Sequence, residues 1–437
     1  MAEAEVDRVK QFYKDRTLFM TGASGMVGTV LLAKLVLDTE VKKIYALVRG
    51  GEWRLWSGLR SSLPPILVAA LQNLNKIVAL DGDIERAGCG IGEENWQKVR
   101  TETTVFIHLA SSTRQDMPLP VAAQEIVFPS LAVADMAFDC PNLSRFVYVS
   151  SAYQCSFFER TDKGLTGFDK SVPENIDPKA RGGRDLDAVL DELRTPGPMS
   201  YEHGEFATTY AHVKFVTEWA LSEAFRGRGV EDKLMIHRPA VLGAAERFPY
   251  PLFEKAGSTP NVTIAAMLAM SPEQEILAPR MAPDPSEYSL NEMPVDIAVN
   301  HLLAHLALGT TGCVHAVASP RQEHRTTRSM PQWSRLFRAP AAGQVRIRWC
   351  DDHWTSPRVS IAFRLFPIVS CVFNFEDNKS EQLWRGMNGR ERLAWPLRAT
   401  IDVTSDSYWL GRKTMVEQVV RILQAHANSN PSPWISA

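Results

Sequence analysis

Tyr210 and Lys214 stand four residues apart in a stretch whose apolar residues recur at helical spacing, so one helix face presents a phenol and an ammonium one turn from each other. A phenol with an ordinary pKa of about 10 is a poor acid at neutral pH. A neighbouring cation that favours its ionised form fits it for giving a proton to a carbonyl oxygen that is receiving hydride. Upstream, the run YVSSAY (148–153) ends an apolar strand and leaves Ser150 and Ser151 at that strand's carboxyl edge. Ser151 is the hydroxyl expected to polarise the substrate carbonyl, with Ser150 the next choice. No metal and no nucleophilic cysteine are needed for this chemistry.

Hydride needs a carrier, and the segment TGASGMVG (21–28) offers a place for one. Gly22, Gly25 and Gly28 follow an apolar strand and open an apolar helix, so the backbone around Ser24, Met26 and Val27 can approach a pyrophosphate without Cβ atoms in the way. About twenty residues later the next strand ends in ALVRGG, placing Arg49 where a fold selective for NAD would carry a carboxylate for the ribose 2′-hydroxyl. A cation there favours the 2′-phosphate of NADP. Asp83 and Ile84 of DGDI, and Ala110 of HLAS, follow the next two strands, where the adenine and ribose would lie. His108 reads as a packed strand residue.

These motifs need a scaffold that gathers strand ends. Short apolar strands at 17–21, 43–48, 76–80, 104–109 and 145–149 alternate with helical stretches, most clearly 26–37, 120–138 and 212–224. Parallel strands require crossovers and are buried on both faces, so an α/β, doubly wound parallel sheet is expected. The polar, Asp-, Gly- and Pro-rich segment 159–204 reads as a long insertion that shapes a substrate entrance. Beyond about residue 240 the alternation fades into a proline-marked substrate lobe, about 240–330. Another compositional shift follows Pro331. The division is therefore a cofactor-binding domain over 14–330 and a small, mainly helical domain over 331–437, ending in an amphipathic helix at 413–426.

The chain has 437 residues, 45% hydrophobic and 22% charged, with a formal net charge of -2. These values fit a globular protein and give no electrostatic reason to expect nucleic acid. Six scattered cysteines show no zinc spacing, and Cys155 reads as packing. The polar N-terminus lacks the apolar stretch of a secretory signal, so a cytoplasmic setting is expected. No apolar run looks long enough to span a membrane. The apolar stretch 359–375 carries Arg364 and Pro367. It reads as core, with peripheral membrane contact or acyl binding as the other roles open to it.

The chain resembles the fatty acyl-CoA reductases, extended short-chain dehydrogenases that are related to thioester reductase domains. The segments TGASGMVGTVLLAKLV, KKIYALVRG, DGDI, TVFIHLASSTRQD, RFVYVSSAYQC, YAHVKFVTEWAL, IHRPAVLGAAERFPYP and NEMPVDIAVNHLLA carry the resemblance, in that order, over about 17–305. It implies a Rossmann fold with Pro239, Val241 and Lys214 at the nicotinamide end of NADPH. It also implies hydride transfer to an acyl thioester, carried by coenzyme A or an acyl carrier domain, giving aldehyde or primary alcohol. Tyr210 would donate the proton, Ser151 hold the developing oxyanion and Lys214 tune Tyr210. A carbonyl reductase or epimerase-like enzyme acting on a small metabolite would use the same catalytic set. A dinucleotide-sensing binding protein would use only the cofactor half.

Overall fold

The structure, a computed structural model, describes residues 6–115, 117–162, 164–194, 205–318 and 323–429. Parts of the expected insertion, at 163 and 195–204, and the chain end at 430–437 lie outside these residues. Seven parallel strands form the central sheet: β1 (Thr17–Thr21), β2 (Lys43–Val48), β3 (Ile77–Asp81), β4 (Val105–His108), β5 (Arg145–Val149), β6 (Leu234–Pro239) and β7 (Gly312–Ala316). Their spatial order is β7-β6-β5-β4-β1-β2-β3. The chain therefore starts in the middle, builds outward to β3, and returns across β1 to build the other half. That reversal opens a crevice at the carboxyl ends of β1 and β4, where open α/β sheets bind ligands.

The first five strands fall where the apolar runs placed them, and all five residues of β1 are buried. β6, just before residue 240, was not marked as a strand, and β7 lies beyond it, where the alternation was expected to fade. Their sequences, LMIHRP and GCVHA, carry His237, Arg238 and His315 at buried positions, and those polar residues break the apolar run that marks a parallel strand.

One further expectation is corrected. The helix Leu119–Phe138, 20 residues long, is long and apolar enough to cross a membrane by length and composition, contrary to the reading that no such run exists. Here its apolar side packs on the helix Thr209–Gly227, and Ala122, Ala123, Ile126 and Val127 are buried there. The stretch 359–375 packs largely as core, as its composition implied. Pro367 divides it into a short helix, Ile361–Leu365, a single turn and a strand, Val372–Phe375. That strand pairs with Asp169–Val172 of the insertion, and Val359, Phe363, Val369, Cys371 and Phe373 are buried.

One apolar core lies under the sheet between the helices Met26–Asp38 and Val295–Ala307. A second core joins the lobe to the C-terminal segment: Val262, Ile264 and Leu268 pack with Trp333, Trp354, Trp409 and Val416. Strand Arg346–Cys350 pairs in parallel with Glu275–Pro279, carrying the chain across the compositional boundary at 331. Three small strands, Val241–Gly243, Ser289–Pro294 and Glu323–Arg325, bridge the central sheet to this half.

Arg412 seals the junction. Its guanidinium, fully buried, donates to Glu254 at 2.9 and 2.7 Å and to Glu292 at 3.1 Å. Glu292 also meets His324 at 2.8 Å and accepts from the Tyr408 hydroxyl at 2.5 Å. Asp296, in the first turn of its helix, accepts the backbone N–H groups of Glu246, Arg247 and Phe248 at 2.8 to 3.0 Å. The loop after β6, irregular by sequence, is therefore held by a buried carboxylate.

His237, His301, His305 and His315 are buried behind β6 and β7. Burial pushes His237 and His315 down to about 3 and His301 to about 4, and lowers His305 as well. In the unfolded chain each takes a proton near its ordinary value of about 6.5, so below that pH the unfolded state binds more protons. Their contribution to stability is complete above about 6.5 and declines as pH falls toward the folded values. The melting temperature is expected to drop steadily between pH 7 and pH 5, and differential scanning fluorimetry across that range checks it.

Candidate functional site

The catalytic candidates converge because two elements end at one place. β5 delivers Ser150 and Ser151 at the sheet edge, and Ser151 caps a short turn, its Oγ accepting from the Tyr153 N–H at 3.1 Å. The helix Thr209–Gly227 starts beside it, capped by Thr208 Oγ1, which accepts from the Ala211 N–H at 3.1 Å. Tyr210 therefore sits in the helix's first turn, beside the Ser151 hydroxyl. Lys214, one turn on, donates from Nζ to the Val149 carbonyl at 3.1 Å. Its Nζ lies 4.8 Å from the Tyr148 ring centre and 5.7 Å from that of Tyr210.

Burial raises the Tyr210 phenol, and the nearby Ser151 hydroxyl opposes that rise. Burial pushes Lys214 down to about 7, with the Glu218 carboxylate pulling it back up. Ser150 differs from its neighbour. Its Oγ is buried and has no protein partner, while both serines face the same cavity.

Glu218 is the next residue along that helix face, and it is fully buried against Arg238 of β6. The guanidinium donates to the carboxylate through Nε at 3.0 and 3.1 Å and through a terminal nitrogen at 2.5 Å. It also donates to the Asn175 carbonyl at 2.9 Å and the Pro173 carbonyl at 3.4 Å. One arginine thus fixes β6, the catalytic helix and the start of the insertion relative to one another.

The glycine turn is built as its spacing implies. Gly22 has φ +73°, and a Cβ there would lie 2.7 Å from the Ala110 nitrogen. At Gly28 a Cβ would lie 2.1 Å from the Gly22 carbonyl oxygen, so the helix can pack onto the turn only without one. Thr21 sets the opposite wall: its Oγ1 accepts the N–H groups of Leu109 and Ala110 at 3.2 and 3.1 Å. Its proton must therefore go to His108 Nδ1, 2.7 Å away, which leaves His108 Nε2 to donate to Ser130 Oγ at 3.0 Å. His108 is the packed strand residue expected, and Cys155 is buried, its thiol pushed up to about 12.

Gly22, Ser24, Gly25, Arg49, Asp83, Ile84 and Ala110 line one cleft of about 400 Å³. Val27, Pro239, Val241, Ser151, Tyr210 and Lys214 line a second, of about 510 Å³. Leu109 and Ser111 border both, so a dinucleotide can reach from one to the other along the ends of β1 and β4. The Met26 side chain is buried in the core, so only its backbone is available to a ligand. Arg49 is 73% exposed with Asp83 at 3.9 Å, and Gly50 and Gly51, at φ +83° and +59°, turn the chain just after it.

Sequence reasoning missed three features of the site. Lys255, in the irregular proline-marked stretch, bonds the glycine loop at Ser24. Leu365, Phe366, Pro367 and Ile368, from the apolar stretch 359–375, form a wall of the catalytic cavity, joined by Met267 and Leu423. Arg238 sits in a strand that was not anticipated. Arg238 lies in the IHRPAVLG segment that carries the resemblance, but its pairing, like the roles of Lys255 and the 365–368 wall, works through contacts between distant segments.

A family model described as "Male sterility protein" matches residues 20–302. The chain is similar to fatty acyl-CoA reductase 2 of Homo sapiens, 27% identical over 377 residues, with 80% of this chain and 68% of that protein covered. It is also similar to fatty acyl-CoA reductase 1 of Rattus norvegicus, 25% identical over 312 residues, covering 68% of this chain and 55% of that protein. It therefore spans between about half and two thirds of these relatives' length. Among solved structures, the terminal R domain of the myxalamid PKS-NRPS biosynthetic pathway has a TM-score of 0.60 at 18% identity, over 93% of this chain and 92% of that one. DesIV, a dTDP-glucose 4,6-dehydratase from Streptomyces venezuelae solved with NAD bound, reaches 0.53 at 15% identity, over 92% and 96%. These structures share the fold.

Arg238→Met would leave Glu218 buried and unpaired. A loss of about 3–5 kcal/mol is expected, because breaking a buried pair strands a charge. Urea denaturation of both proteins measures it, and an unchanged midpoint would refute the role given to this pair.

Proposed function

The chain belongs to the male sterility protein family, and from that premise we propose that it reduces an acyl thioester, carried by coenzyme A or an acyl carrier domain, with NADPH as the hydride donor. It is a nicotinamide-dinucleotide-dependent oxidoreductase with the fold of the extended short-chain dehydrogenases. The observation that carries the thioester reading is the meeting of Ser151, Tyr210 and Lys214 in a cavity that adjoins the glycine-loop cleft and ends in an apolar wall. Phe366, Ile368, Met267 and Leu423 at that end suit an acyl chain better than a sugar nucleotide. The stretch 359–375 thus supports the acyl-binding role. In this reading residues 14–330 hold the cofactor and the reacting groups, and 331–437 close the substrate end.

The clefts fit a dinucleotide in the Cβ-free turn at Gly22 and Gly28, in the cation at Arg49 and in the shared border at Leu109 and Ser111. When bound, it supplies the hydride that the thioester carbonyl carbon accepts. The protein's residues do the rest. The Ser151 hydroxyl holds the carbonyl oxygen as negative charge grows there, and Tyr210 delivers a proton to that oxygen. Protonated Lys214 lowers the cost of the tyrosinate left behind, and Glu218 holds the proton on Lys214. The hemithioacetal then breaks its C–S bond, releasing a thiol and an aldehyde, and a second cycle on the aldehyde gives the primary alcohol.

Purified protein supplied with NADPH and acyl-CoA thioesters is expected to release free thiol in step with NADPH oxidation. Tyr210→Phe should lower that rate by about 10²–10⁴-fold, the span of general acid catalysis. Oxidation with aldehydes and none with thioesters would make the protein a carbonyl reductase instead. For the cofactor, Arg49→Ala should weaken NADPH binding by about tenfold, the worth of one charge-assisted phosphate contact, and leave NADH binding unchanged. Equal effects on both, read by nicotinamide fluorescence, would remove Arg49 from phosphate recognition.

A further inference from the structure

Lys255 brings a cation to the glycine-rich turn from the proline-marked lobe, outside the strand-and-helix alternation that carries the glycine loop. Its Nζ donates to the Ser24 carbonyl and to Thr29 Oγ1, each at 2.8 Å. An ammonium has three protons, and these two bonds place two of them. Burial pushes the amine down to about 8, and no nearby carboxylate opposes the shift. Among the described residues this lysine forms no ion pair. A partly desolvated cation without an anion is a standing cost, and an anion arriving at the site offsets it.

The turn that carries Lys255 is rigidly held. Glu254, one residue before it, is buried in the bonds from Arg412 and accepts from Thr259 Oγ1 at 3.0 Å. The Ser258 N–H donates back to the Lys255 carbonyl at 3.0 Å. Ser24 faces the glycine-loop cleft, while Gly257 and Ser258 line the catalytic cavity. One short turn therefore touches the cofactor side and the substrate side together.

A diphosphate brings two negative charges to the turn at Gly22–Gly28. The helix N-terminus there offers the equivalent of only about half a positive charge, and Arg49 stands at the far end of the cleft, after β2. We propose that Lys255 is a positioning residue for the dinucleotide, its ammonium acting as the counter-charge of the diphosphate at the glycine-rich turn. This rests on the cofactor reading above, and goes beyond it by giving the lobe a part in holding the cofactor.

The test is binding to the full chain as wild type, Lys255→Met, Lys255→Gln and Lys255→Arg. NADPH is followed by nicotinamide fluorescence, and 2′-AMP, which has the 2′-phosphate but no diphosphate, by calorimetry. Lys255→Met is expected to weaken NADPH about tenfold, the loss of one charged contact, and to leave 2′-AMP unchanged. Lys255→Gln, which keeps a donor for Ser24 without the charge, carries the same expectation, so the test survives if the Met variant fails to fold. Lys255→Arg should restore NADPH affinity. Equal NADPH affinity in wild type and Lys255→Gln overturns the assignment, and so does an equal loss for both ligands, which a damaged loop alone would produce. Wild-type protein that binds neither NADPH nor NADH would instead sink the cofactor reading itself.

Discussion

The buried pair between Arg238 and Glu218 is the constraint on which the site's geometry depends. Both side chains are fully buried, so neither charge can be left alone at acceptable cost, and the two can be satisfied only in one arrangement of β6 and the catalytic helix. The carbonyls of Pro173 and Asn175 and the Nε2 of His315 take the remaining guanidinium protons, which draws the insertion into the same arrangement. Because Glu218 lies one turn beyond Lys214, the pair also leaves a carboxylate close enough to favour the protonated amine.

A second buried network does for the substrate half what that pair does for the sheet. Glu254, Glu292 and Arg412 come from three distant parts of the chain, and Asp296 gathers three backbone N–H groups of the loop after β6. The lobe has few regular elements, so its shape rests on these charged contacts and on the apolar core it shares with Trp333, Trp354 and Trp409. The turn bearing Lys255 is fixed through Glu254, and the wall at Phe366 and Ile368 is fixed by the buried Val369 and Phe363 on either side. The C-terminal segment is in this way part of the catalytic cavity.

The parts of the fold legible beforehand are those that obey local rules. β1 and its glycine turn could be read because a buried parallel strand must be apolar and a tight turn against a backbone must lack Cβ. Tyr210 and Lys214 could be paired because helix geometry alone puts i and i+4 on one face. β6 and β7 escaped notice because His237, Arg238 and His315 are buried and neutral or paired, and nothing local distinguishes a buried arginine from a surface one. The helix Leu119–Phe138 was read for periodicity, and its length and overall apolarity became informative only when its packing partner was known.

By itself the amino-acid order determined the parallel α/β class, the place of the dinucleotide loop and the identities of the hydroxyl, phenol and amine at the sheet edge. Those follow from spacing within single elements, where the backbone imposes the geometry. Tertiary structure alone decided that Ser151 Oγ accepts from the Tyr153 N–H while Ser150 Oγ has no partner among the described residues, that 359–375 builds a cavity wall, and that Lys255 reaches Ser24. Each of those joins residues far apart in the chain, and which distant side chains meet is set by how whole elements pack and where buried charges find partners.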